Sequence, residues 1–166
     1  GIKPSLISSA VNIFIAQRLV RVLCEECRES YTPAETTITA LKKVLSYIPK
    51  KSGVVVPDTI DVLYKPKGCG KCNFTGYRGR KGIFEIFRVT EAMGETISSL
   101  ASEGEIRKAA VKEGMVTMIQ DGILKVIEGI TTLDEVWRNA GKEESLEELY
   151  GEILSDPNIQ EPKEKE

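Results

Sequence analysis

No histidine occurs anywhere in these 166 residues, and tryptophan occurs once, at Trp137. The first absence excludes any mixed Cys/His metal site. Aromatic residues make up only 6% of the chain, so no stacking platform for single-stranded nucleic acid is visible. No stretch approaches the roughly 20 apolar residues that a bilayer crossing needs. The segment SLISSAVNIFIA after Lys3 superficially resembles the apolar part of a signal peptide, but Gln17 and Arg18 stand where a small-residue cleavage site should lie. There is no internal repeat, and nothing matches a G-x-x-x-x-G-K-[ST] phosphate loop.

What the chain does contain is enough apolar residue, 41%, for a real core in one domain or two small lobes. Its formal charge of −2 hides an uneven distribution. Residues 142–166 hold nine acids against three lysines, a net −6, which leaves residues 1–141 at +4. That mild excess falls short of the dense positive face of a dedicated nucleic-acid binder. The chain opens on Gly1 rather than Met, as a fragment would. All four cysteines fall in two Cys-x-x-Cys pairs, Cys24/Cys27 in LCEEC and Cys69/Cys72 in GCGKC. Such pairing points to metal or redox chemistry in a reducing compartment rather than to a disulfide framework.

Periodicity predicts a helix over 4–17, with Leu6, Ile7, Ala10, Val11, Phe14 and Ile15 on one face, followed by a strand over 18–23. Thr32-Pro33-Ala34-Glu35 reads as a capping-box start for a helix reaching about Ile48. A short strand over 59–64 leads into the second cysteine pair. The run GIFEIFRV at 82–89 reads as a strand apolar on both faces, as inside a covered sheet. Few neighbours for it exist in the chain, so part of that sheet is expected to lie outside it. Helices follow over 91–101, 103–113, 118–128 and 133–139. Ser102/Glu105, Thr117/Gln120 and Thr132/Glu135 match capping boxes, and Gly114 and Gly129 sit at helix ends. Trp137 reads as core. Beyond Gly141 an acidic segment carries one apolar patch at Leu146, Leu149, Tyr150, Ile153 and Leu154, with disorder expected over the last ten residues.

Four thiolates from two tight turns suit one structural zinc ion, with Gly68 and Gly70 freeing the backbone of the second turn. A closed four-sulfur shell leaves no open position for water, so such a zinc is structural rather than catalytic. Three other readings use the same residues. An iron–sulfur cluster also takes four thiolates. Independent redox dithiols lack the context of a βαβ unit here. Plain buried cysteines sit poorly beside Glu25, Glu26, Lys71 and Asn73. The 41 residues between Cys27 and Cys69 exceed a small zinc ribbon's spacing, and the capped helix fills them as an insertion. In NFTGYRGRKG, Arg78 and Arg80 lie two apart; in an extended segment both leave on one side, a pair suited to phosphate oxygens or simply a solvated basic turn.

Three motifs in order, AQRLVRVLCEEC, CGKCNFTGYRGRKGIFEI and EGITTLDEVWR, resemble the carboxy-terminal part of the secretion ATPases. These are the hexameric motors of type II secretion and type IV pilus assembly, and the likeness covers about residues 4–140. It implies an α/β fold in which residues 1–23 and 77–89 complete the edge of a RecA-like P-loop ATPase sheet. Residues 24–76 would be a four-cysteine zinc-binding subdomain with Cys24, Cys27, Cys69 and Cys72 as ligands. Residues 90–141 would be the C-terminal helical bundle, and 142–166 an acidic tail, partly disordered, for which the family offers no pattern. Arg78 and Arg80 would face nucleotide phosphate, with ATP and Mg²⁺ held by the intact protein. The resemblance further implies a cytoplasmic homo-hexamer peripheral to the inner membrane, docked on platform and assembly proteins, with no nucleic-acid partner. The cysteine module favours the assembly or secretion branch over retraction motors.

The departures matter equally. The phosphate loop, the acidic Mg²⁺-binding box and the histidine box are absent, so the isolated chain is expected not to hydrolyse ATP. Many relatives carry histidine where Phe74 stands. A competing reading is a zinc-ribbon module for nucleic acid or a protein partner, and it predicts steeply salt-dependent binding. A third, a redox protein, predicts thiols that titrate whether or not metal is bound.

Overall fold

The computed structural model describes residues 10–140 and 156–159, which form a mixed α/β fold with two small antiparallel sheets. The first is a long ribbon of β1 (Ile13–Leu23) and β4 (Tyr77–Arg88); the second joins β2 (Glu29–Tyr31) to β3 (Leu63–Lys65). Between β2 and β3 lies helix α1 (Glu35–Ser46). After β4 come α2 (Glu91–Ser98), α3 (Glu103–Lys112), α4 (Met118–Ile127) and α5 (Leu133–Ala140).

The register of the ribbon pairs Ile13 with Arg88, Ile15 with Ile86 and Arg21 with Arg80. Residues 13–17 are therefore strand, not the end of a helix; Ala10 is helical, Val11 and Asn12 are not, and residues 4–9 of that expected helix lie outside the described residues. Ile13 and Ile15 fit a pleated surface better than a helix, and pairing with the apolar run after Gly82 outweighs the helical spacing. One ribbon face packs Val20 and Ile83 onto Met118 of α4, while Phe14 stacks on Phe87 at 5.0 Å. On the other face Ile13, Ile15, Leu19 and Ile86 are exposed.

The largest apolar cluster lies between α1 and the pair α4–α5: Leu41, Val44 and Leu45 meet Ile119, Ile123, Val126, Val136 and Trp137, with Ile60 and Leu63 completing it. Each such side chain contributes about 1.5–3 kcal/mol when fully buried. A smaller cluster of Met93, Ala110 and Met115 joins α2 and α3 to the end of β4 through Phe87 and Val89.

The helix starts show how local chemistry reads out. Thr90 caps α2, and Ser102/Glu105 and Thr117/Gln120 form complete capping boxes. Gly114 and Gly129 end their helices at φ +106° and +73°, where a Cβ is unwelcome. Two expected caps differ. Helix α1 begins at Glu35 behind Ala34, which has no capping side chain of its own. Asp156 takes that role from the far end of the chain, accepting from Ala34 N–H at 2.8 Å and from the Thr37 hydroxyl at 3.2 Å. Segment 156–159, part of which was expected to be disordered, is thus docked: Ile159 packs on the main cluster and the Lys65 ammonium donates to Asn158. The apolar patch at 146–154 lies outside the described residues. At α5, Thr132 still accepts from Glu135 N–H, but the Glu135 carboxylate turns away toward β1.

Candidate metal centre and arginine turn

β1 ends at Leu23 and delivers Cys24 to a tight turn in which the N–H groups of Cys27 and Arg28 both donate to the Cys24 carbonyl. A second turn at 69–72 is built alike, with the N–H groups of Cys72 and Phe74 donating to the Cys69 carbonyl. The turns face one another. Their sulfurs stand 4.0 Å apart for Cys24–Cys69 and 3.8 Å for Cys27–Cys72 and Cys69–Cys72, and all four lie within 4.8 Å of one another.

These distances select among chemistries. A disulfide needs sulfurs at about 2.0 Å, so the four are free thiols. A tetrahedron with metal–sulfur bonds of about 2.3 Å has edges of about 3.8 Å, which matches the closest pairs. A cluster of several irons spreads its thiolates over different irons and needs a wider shell than this. The donor set therefore fits a single thiophilic ion such as zinc.

The thiols are not equivalent. Burial acts upward on Cys72, but N–H groups of Cys69 at 3.1 Å and Gly76 at 3.3 Å point at its sulfur and, with the neighbouring thiols, bring it down to about 6. Burial pushes Cys27 up to about 12, with the surrounding sulfurs adding to the effect. N–H donors of this kind support a thiolate whose charge a cation would complete.

Glycine enters at two positions. Gly68 sits at φ +105°, where a Cβ would come within 2.6 Å of the Phe74 carbonyl oxygen. Gly76 sits at φ +76° with Pro66 equally close, and besides its bond to Cys72 its carbonyl accepts from Cys24 N–H at 2.9 Å. Gly70, expected to supply freedom, has ordinary backbone and open space around it. Gly76 is the residue that sequence reading missed, since its constraint comes from Pro66 ten residues away.

Directly beyond Gly76 the chain enters β4, and a bulge changes the expected geometry of the arginines. Tyr77 pairs with Leu23 and Arg80 with Arg21, so Arg78 and Gly79 together oppose Val22, with Gly79 at φ +87°. Simple alternation would place Arg78 and Arg80 on one side; the extra residue breaks it. Arg80 instead shares its face with Arg21 and Tyr77. Arg78 borders an open cleft of about 270 Å³ with Val22, Leu23, Cys24, Glu25 and Glu26. Both are exposed.

The base of this turn is held from α5. Arg21 lies over the Tyr77 ring at 4.1 Å, and the Tyr77 hydroxyl meets that of Thr132 at 3.1 Å. Glu135, 2% exposed, accepts from Arg21 N–H at 2.9 Å and from its guanidinium at 2.7 Å. Burial acts upward on Glu135, yet those bonds and the charges of Arg21 and Arg138 hold it below the usual carboxylate range. The segment just before α5 grips the end of β1 as well: Leu23 N–H donates to Ile130, and the Thr131 hydroxyl to the Arg21 carbonyl. Arg28, stacked on Tyr64 at 4.4 Å, donates to the Gly129 carbonyl at 2.6 Å.

Residues 1–138 match the type II/IV secretion system protein family. The chain is 40% identical over 138 residues to the type II secretion system ATPase E of Vibrio cholerae, covering 83% of this chain and 25% of that protein. It is 38% identical, with the same coverage, to type II secretion system protein E of Pseudomonas aeruginosa. Against the type IV pilus assembly ATPase PilB of Myxococcus xanthus it is 34% identical over 139 residues, 84% of this chain and 23% of that protein. The chain thus spans about a quarter of the length of these curated relatives. Among the described residues no helix is long and apolar enough to cross a membrane.

Proposed function

The chain belongs to the type II/IV secretion system protein family, and on that premise we propose that it is the C-terminal part of an ATPase that powers type II secretion or type IV pilus assembly. Its four cysteines hold a structural zinc ion, which closes the two turns on each other and leaves no coordination position for chemistry. The ribbon β1–β4 completes a RecA-like ATPase sheet; its open face of Ile13, Ile15, Leu19 and Ile86 suits burial against the rest of such a core. ATP and Mg²⁺ bind to residues outside this chain, and Arg78 and Arg80 approach the phosphates at a domain or subunit boundary. The working form is a homo-hexamer, cytoplasmic and peripheral to the inner membrane, that engages platform and assembly proteins.

The observation that carries this reading is the continuity between cysteine loop and arginine strand. Gly76, bonded to both Cys24 and Cys72, is followed at once by the bulge that presents Arg78 and Arg80. A metal clamp here sets where a pair of guanidinium groups begins, which is what charge neutralisation on a transferring phosphoryl group requires. In the full-length protein, Arg80→Ala should lower ATP turnover, by up to about 10³–10⁵-fold for an arginine acting on the γ-phosphate. Stability should change by no more than about 0.5 kcal/mol, since the side chain is exposed. Unchanged turnover in that variant removes the proposed role.

A further inference from the structure

Within the ribbon, Arg21 and Arg80 stand directly opposite each other on one face. Like charges in that relation repel and destabilise a strand pair. Two side chains of one sign, both free to reach the same space, would also compete for any anion placed there. The two arginines are nevertheless treated differently. Arg21 is drawn toward α5, bonded by backbone and guanidinium to the buried Glu135 and stacked on Tyr77. Arg80 is exposed and has no carboxylate partner among the described residues.

We infer that Glu135 is a positioning residue for Arg80: by pairing with Arg21 it removes the competing guanidinium and fixes the strand opposite, so that on this face of the ribbon Arg80, and not Arg21, meets the phosphate. The inference rests on the reading that Arg80 meets phosphate in the intact ATPase. Three features of the contact support it. Glu135 bonds the Arg21 main chain as well as its side chain, so it holds the strand and not merely the tip of a side chain. The Arg21 guanidinium lies over Tyr77, the residue immediately before the bulge, and the Tyr77 hydroxyl returns to Thr132 beside α5. Finally, the expected capping-box geometry of Thr132/Glu135 is given up at the carboxylate end, which bonds β1 instead.

The test is a double-mutant cycle in the full-length protein, reading kcat and the KM for ATP. Glu135→Gln alone should lower kcat on the order of 10²-fold, the scale of a misplaced catalytic group, with KM moving far less. In an Arg80→Ala background the same substitution should change kcat less than about two-fold, because a residue acting only through Arg80 has nothing left to position. Arg21→Lys keeps the charge but loses the planar fork; it should show the same non-additivity and provides the second route if Glu135→Gln lowers the yield of folded protein. If the losses from Glu135→Gln and Arg80→Ala multiply, Glu135 acts independently and the inference fails while the phosphate reading stands. A normal kcat in Glu135→Gln likewise overturns the inference alone. If Arg80→Ala itself has no effect, both the phosphate reading and the inference fall.

Discussion

Replacing Gly76 by alanine measures how tightly the two cysteine loops are tied together. The position has φ +76°, and a left-handed backbone costs an L-residue about 1–2 kcal/mol. The new methyl would also sit 2.4 Å from Pro66 Cβ and 3.1 Å from Pro66 Cα. Because that Cβ belongs to a ring fixed to the main chain, it cannot swing aside, and such overpacking costs about 1–3 kcal/mol. Together these amount to about 2–5 kcal/mol, a large part of the roughly 5–15 kcal/mol typical of a whole domain. The relief open to the chain is to shift residue 76, which loosens its N–H bond to Cys72 and its carbonyl bond from Cys24. Supporting bonds of that kind are worth about 10–100-fold in metal affinity. Gly70→Ala is the matched control: the residue lies in the same loop, but no atom comes within 4 Å of the added Cβ, and its cost should stay within about 0.5 kcal/mol. Denaturant unfolding of the zinc-loaded protein and competition with a chromophoric chelator read the two quantities. Equal midpoints and equal zinc affinity for the two variants would refute the reasoning.

Mass spectrometry of the native protein should find one zinc ion per chain, and chelation should turn four unreactive cysteines into four titratable thiols; full reactivity before chelation contradicts a metal clamp. Gly122→Ala in α4 should lower stability by about 1–3 kcal/mol through contact with Val136 Cγ1 at 2.5 Å, although alanine is the better helix former by about 1 kcal/mol. A rise in melting temperature would show that α5 moves freely aside. Asp156→Asn should cost about 1–3 kcal/mol at pH 7. Burial acts upward on Asp156, but the N–H groups of Ala34 and Asn158, with the Asn158 amide and the Thr37 hydroxyl, hold its carboxyl below the usual value. A depressed carboxyl stabilises fully above the ordinary pKa of about 3.9 and loses that contribution as pH falls through the folded value. The gap between wild type and variant in urea titrations should therefore be constant from pH 7 to about 5 and close below about 4. A gap that widens on acidification would contradict this account.

Much of the site is legible in residue spacing because the signals are local. Two Cys-x-x-Cys turns announce four thiolates, and capping boxes at Ser102 and Thr117 announce helix starts that involve only three or four residues. Spacing misleads where a distant partner decides. Residues 13–17 carry a pattern compatible with helix or strand, and only pairing with β4 selects the strand. Pro33 and Glu35 suggest a self-contained start for α1, whereas the capping carboxylate comes from Asp156. Gly70 and Gly76 look alike as letters, but one meets open space and the other meets Pro66.

The chain's residue spacing thus determines by itself the four-sulfur donor set and the helical content after β4, and its likeness to relatives shows the family to which it belongs. Each depends on residues close together in the chain, or on patterns shared with relatives. Tertiary structure alone decided that the sulfurs gather within one metal-sized shell, that a bulge at Gly79 separates Arg78 from Arg80, and that the Glu135 carboxylate bonds Arg21 of β1 rather than closing the capping box at Thr132. In each of these cases the free energy comes from contact between segments far apart in the chain, which no local pattern encodes.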